Sequence, residues 1–112
     1  MKKIVLALLF TISVCATHRE LQFENEFVKV WKTVITPNEP LKLHRHDEFR
    51  VVVGLKGGEL QKIEETGEIS KLLFETGKAY WLEPDPQGML HGDINLSEEP
   101  IEVMVIEMVS TK

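Results

Sequence analysis

The sequence predicts a single all-β domain, and three observations carry that prediction. Apolar residues come in short runs rich in Val, Ile, Leu and aromatics, broken by Pro, Gly, Asn and Asp. No stretch after residue 20 keeps an apolar period of about 3.6 residues between capping signals, so no helix is expected. The chain has 112 residues, 43% of them hydrophobic, which is enough for one packed core and too little for two.

The runs follow one another with clear stops. Phe27 to Ile35 is closed by Pro37-Asn38-Glu39-Pro40, and Leu41 to His46 alternates until Asp47-Glu48. Phe49 to Leu55 ends at Lys56-Gly57-Gly58. Glu59 to Ile63 and Ile69 to Phe74 flank an acidic, Gly-containing tip and read as a hairpin. Ala79 to Leu82 precedes Glu83-Pro84-Asp85-Pro86-Gln87-Gly88, whose prolines lack the donors a central strand needs. Met89 to Leu96 and Ile101 to Val109 complete a set of about eight strands, the pattern of a sandwich or barrel. A closed barrel also removes edges that so small a chain could hardly protect.

The N-terminus reads differently. Lys2 and Lys3 precede an apolar Ile4 to Phe10, and Thr11 to Ala16 supplies small residues, the order of a secretory signal peptide. The apolar run falls short of the roughly 20 residues that a membrane-spanning helix needs. Val14 and Ala16 fit a cleavage after Ala16, giving a leader over 1–16 and a domain over 17–112 with its core at about 26–107. The expected product is periplasmic or secreted. A rival reading takes Ile12 to Cys15 as a lipobox with Cys15 lipidated and membrane-anchored, against which bulky Val14 counts. Removing 16 of the 112 residues leaves 96, and losing two Lys takes the net charge from −5 to −7 with no Cys remaining.

Composition excludes several functions. A single Cys rules out a disulfide framework and a Cys-cluster zinc site. An acidic chain without a Lys/Arg-rich run is a poor phosphate-backbone binder, so nucleic acid is not an expected partner. Neither a Gly-x-Ser-x-Gly elbow nor a phosphate-binding loop occurs. His18, outside any pattern, reads as solvated, and Trp31, Tyr80 and Trp81 can wall a pocket, although aromatics on small barrels more often fill the core.

Three histidines point to a site. His44 and His46 flank one residue on an expected strand, so both imidazoles project to one face and can share a divalent ion. His91 follows a Pro/Gly loop and begins a late strand. From His44 the sequence reads H-R-H-D-E-F-R-V-V-V-G-L-K-G. This resembles the first motif of the cupin family, G-x5-H-x-H-x(3,4)-E-x6-G, at His44, His46 and Gly57. The second motif, G-x5-P-x-G-x2-H-x3-N, is matched in its core by Pro86, Gly88, His91 and Asn95. The resemblance runs from about Glu26 to Glu107 and implies a cupin-like jelly-roll β-barrel. It also implies a divalent metal, Fe, Mn, Ni or Zn, on His44, His46 and His91, and a homodimer as a family habit.

The chain departs from the pattern in three places. Asn38 stands at the first motif's opening Gly, and the gap from Gly77 to Pro86 is three residues longer than usual. Arg50 stands where the family has its metal-binding Glu, and a guanidinium offers no lone pair to a metal. Three arrangements stay open. The three His can hold metal alone, as in cupins resembling cysteine dioxygenase. Glu48 can swing in as a fourth ligand. Or the site is metal-free, with Arg50 and the His cluster binding an anion. The expected function is binding of a small, anionic molecule, or oxidation or isomerisation of it. The alternatives are thus a metalloenzyme and a non-catalytic binding module, and fold does not choose between them.

Overall fold

The computed structural model describes residues 16–86 and 89–110. The leader reading over residues 1–15, the proposed lipidation of Cys15, and Gly88 of the second motif lie outside the described residues. Nine strands form two sheets, and no helix occurs among the described residues. They are β1 (His18–Glu24), β2 (Val28–Ile35), β3 (Leu41–His44), β4 (Arg50–Lys56), β5 (Gly58–Glu64), β6 (Ile69–Phe74), β7 (Ala79–Leu82), β8 (His91–Ile94) and β9 (Ile101–Met108). One sheet has the order β1-β2-β9-β4-β7 and the other β3-β8-β5-β6, with every named pairing antiparallel.

The strands behave as their patterns require. Along β4 the buried residues are Arg50, Val52 and Gly54, and along β9 they are Ile101, Val103 and Val105. This is the period-two alternation of a sheet with one face turned to the interior. Ile35, Leu60 and Phe74 join Val52, Ile101, Val103 and Val105 in one core between the sheets.

Eight of the nine strands match the sequence expectation within two residues at each end. The ninth, β1, was not expected. Its sequence HRELQFE is mostly polar, and it becomes a strand by pairing with β2 from His18↔Val34 to Glu24↔Lys29. His18, read as solvated, instead opens this strand and sits 3.7 Å from Glu20. The first sheet therefore reaches back to His18, inside the expected domain over 17–112 but before its expected core at residue 26.

Two motif residues do structural work. Asn38 has φ 60°, the left-handed conformation that Gly takes freely and Asn tolerates. Asn95 is fully buried: its Nδ2 donates to Ile35 O (3.0 Å) and Glu99 O (2.7 Å), while Oδ1 accepts from Ser97 N (2.9 Å) and Ser97 Oγ (2.6 Å). Asn95 also accepts at its main-chain oxygen from Asn38 N (2.8 Å), tying the two motifs together. Asn95→Ala strands these buried partners and is expected to cost about 2–3 kcal/mol. Urea unfolding checks this, and a loss below about 0.5 kcal/mol would contradict the role given to this side chain.

Candidate metal centre

The centre is built by strand pairing. β3 and β8 are antiparallel neighbours with His44 directly opposite His91 and Leu41 opposite Asp93. Three steps along β3 therefore match two along β8, an irregularity of the bulge type that re-aims the side chains beside it. His46 follows just beyond the end of β3. The result is an imidazole cluster with ring centroids 4.6 Å (His44–His91), 4.8 Å (His44–His46) and 5.4 Å (His46–His91) apart. One ligand atom from each of His44, His46 and His91 lies within 4.8 Å of the others.

The donor chemistry suits a divalent ion. His44 Nε2 and His46 Nε2 are 3.1 Å apart, the span of two nitrogens each about 2.1 Å from one ion at roughly a right angle. Two ligands of a tetrahedral ion sit about 3.4 Å apart, so loading draws the widest pair, now up to 4.8 Å apart, together by roughly 1.4 Å. The His46 pKa is lowered to about 3, first by burial, then by the positive charge of Arg50 and by His44, with Asp85 opposing and His91 adding. This imidazole is neutral at ordinary pH and presents a lone pair. Asp85 Oδ2 lies 3.2 Å from His91 Nδ1 and accepts from the His46 amide at 2.6 Å. It favours the proton on Nδ1 of His91, leaving Nε2 as the donor, an outer carboxylate in the sense common to metal-binding histidines. Burial would raise the Asp85 pKa, but the His46 amide, His91, His46 and Lys62 outweigh it and hold the carboxyl below its usual range.

The cluster opens onto a cavity of about 560 Å³ between the sheets. Ile35, Val52, Leu60, Phe74, Val103 and Val105 form its apolar wall. Arg50 reaches this space from the opposite sheet. Only 7% of it is exposed, so it does not snorkel to the rim, and its Nη1 has no hydrogen-bond partner. Burial lowers its pKa, while Asp85, Asp93 and Glu107 oppose that effect.

No family model matches the sequence, and no curated protein does. Solved structures do match. A cupin domain protein from Bordetella pertussis Tohama I is 26% identical, with 85% of this chain and 95% of that one covered, at a TM-score of 0.74. A protein with a double-stranded β-helix domain from Klebsiella pneumoniae is 20% identical over 86% of this chain and 79% of that one (TM-score 0.63). An RmlC-like cupin family protein from Methanocaldococcus jannaschii is 16% identical over 86% and 83% (TM-score 0.63). The chain is a small cupin-fold protein.

Within this cupin-like fold, the sequence-derived candidates separate. His44, His46 and His91 meet as the two motifs imply, and Arg50 faces the same cavity. Glu48 lies half-buried in the bend before β4 and is not among the cavity-lining residues. The carboxylates that do reach the imidazoles are Asp85 and Asp93, which the motif reading passed over. Asp93 Oδ2 is 3.8 Å from His44 Nε2 and 3.6 Å from His91 Nε2. Its signal was present, since His91-Gly92-Asp93 repeats the one-residue spacing of the His pair. None of the suggested aromatics lines the cavity. Trp81 points outward and stacks on Phe49 at 5.3 Å, while Tyr80 packs edge-on against Phe74 and its hydroxyl accepts from the Glu75 amide. Trp31 lies beneath Arg19, 4.1 Å from its guanidinium carbon.

The low His46 pKa has a consequence for stability. Below the unfolded value of 6.5 the unfolded chain takes up a proton that folded His46 refuses until about pH 3. The metal-stripped protein is therefore expected to lose stability as pH falls through that window. Thermal unfolding of wild type and His46→Gln in a chelating buffer tests the cause. The wild type should fall more steeply from pH 6.5 to 4, and parallel curves would refute the assignment.

Proposed function

We propose that this protein is an exported cupin that holds one divalent metal ion on His44, His46 and His91 and binds a small anionic molecule against Arg50. The observation that carries the reading is the convergence of three imidazole donors beside an apolar cavity. Imidazole sets of this kind suit iron, nickel and zinc, and manganese where carboxylate joins them. A cavity of about 560 Å³ is in the range of small-molecule sites.

A bound divalent ion would supply Lewis-acid polarisation of a substrate oxygen and, if it is iron, redox capacity. The chain's own residues supply the rest. His46 stays unprotonated, Asp85 favours one tautomer of the His91 ring, and the apolar wall offers a surface for the hydrocarbon part of a ligand. Arg50 Nη1, buried and without a partner, offers a charge-assisted hydrogen bond to a carboxylate or phosphate oxygen. These features support oxidation or isomerisation of a small anionic molecule. The same unpartnered Arg50 nitrogen favours a second reading, a non-catalytic module that binds an anion without metal. Export is supported by the order of charges and apolar residues in 1–16. Thr17, first after the expected cleavage, is also tied into the domain: its Oγ1 accepts from Thr36 N (2.9 Å) and donates to Glu39 O (2.7 Å).

Elemental analysis of protein purified from the native host compartment is expected to give close to one ion per chain, and a His44→Ala/His91→Ala variant to lose it. Arg50→Ala should keep the metal and bind linear monocarboxylates at least tenfold more weakly by calorimetry. A metal-free wild type that still binds these anions would favour the second reading, and one that binds neither would overturn both. Intact mass should place the mature N-terminus at Thr17, whereas an acylated Cys15 would replace soluble export with anchoring.

A further inference from the structure

We infer that Asp93 is the carboxylate ligand of this metal centre, taking over from β8 the role that Arg50 vacates on β4. The inference rests on the metal reading above and deepens it.

Arg50 leaves the three imidazoles without an acidic companion at the position where the motif has one. The structure brings a carboxylate from another strand. Asp93 is 7% exposed and lies two residues after His91, so both side chains leave β8 on the same face. Its Oδ2 is 3.6 Å from His91 Nε2 and 3.8 Å from His44 Nε2, a few tenths of an ångström over the roughly 3.4 Å that separates two ligands of a tetrahedral ion. His44 Nε2 also faces His46 Nε2 at 3.1 Å, while the Nδ1 of His91 lies 3.2 Å from Asp85 on its other side.

The second oxygen makes the case independently of those distances. Asp93 Oδ1 is buried and has no hydrogen-bond partner. Buried carboxylates are paired, hydrogen-bonded or bound to a metal, because leaving one bare forfeits its hydration. The nearby cations do not fill the role. Lys62 faces Asp93 across the β5–β8 ladder, but its Nζ sits 3.8 Å from Asp85 and 3.9 Å from Glu64. Arg50 approaches closely enough to be felt electrostatically yet forms no ion pair with Asp93 within 4.0 Å, and its own Nη1 is equally unpartnered. Two orphaned groups of opposite charge in one cavity indicate that something fits between or beside them. A divalent cation completes Asp93, and the anionic ligand proposed above completes Arg50. The centre would then carry three neutral nitrogens and one anionic oxygen, a mixed set suited to iron, manganese, nickel or zinc.

Titration of the full-length mature protein with Co²⁺, read by calorimetry and by the visible ligand-field bands, tests the assignment without any need for activity. Asp93→Asn keeps the shape and removes the negative charge. It is expected to bind Co²⁺ at least tenfold more weakly, with shifted bands. If Asp93→Asn fails to fold, Asp93→Glu is read in the same way, and displaced bands are expected from the longer arm. Unchanged affinity and spectrum in the variant that folds would overturn Asp93 as a ligand while leaving the three-His centre standing. A wild type that takes up no Co²⁺ would overturn the metal reading and this inference together.

Discussion

The site depends on how β3 lies against β8. His44 stands directly opposite His91, and an irregularity lets three residues of β3 match two of β8. Cross-strand neighbours sit about 4.5–5.5 Å apart at Cβ, so this register alone brings two imidazoles distant in sequence within reach of one ion. A slip of one residue would turn every side chain of the strand to the opposite face. The hydrogen bonds of Asn95 and the Asn38–Asn95 main-chain link lie at the start of the turn before β3 and at the end of β8. They hold the frame within which that register is set.

Around this pairing the interior carries more charge than an apolar barrel would tolerate unaided. Arg50, Asp85, His91 and Asp93 are all buried. Asp85 distributes most of the compensation, since it touches the His46 amide, His91 Nδ1 and Lys62. It lies beside one nitrogen of the His91 ring and fixes the His46 main chain, while burial first and the charge of Arg50 second hold His46 neutral. Arg50 and Asp93 each retain one unsatisfied atom. Polar groups left bare in this way are costly in a low-dielectric interior, which is why they are informative about ligands.

Most of the fold was legible from alternation and turn residues. β6 and β7 match their expected limits, and the other expected strands differ by one or two residues at their ends, where pairing rather than propensity decides. β1 was missed because HRELQFE has little apolar content. Its strand character comes from the edge of β2, a tertiary cause that no local pattern reports. Of the aromatics, Trp31 and Tyr80 pack against the core, as aromatics on small barrels usually do. Trp81 and Tyr80 lie next to the second motif in sequence, yet alternation on β7 sends Leu82, not Trp81, to the cavity side.

The sequence by itself determined an all-β chain and, through a resemblance carried by spaced Pro, Gly, His and Asn, the gathering of His91 with His44 and His46, although His46 lies past the end of β3 rather than on one strand face with His44. It also determined that a guanidinium replaces the expected carboxylate at residue 50. Only the tertiary structure decided which carboxylates lie beside the imidazoles. Glu48 was the nearest acid along the chain, but proximity in a turn says nothing about which way a side chain faces. Asp85 and Asp93 come from a loop and a strand some forty residues on, and they reach the imidazoles because sheet register and burial, both non-local, fold those segments onto the His pair.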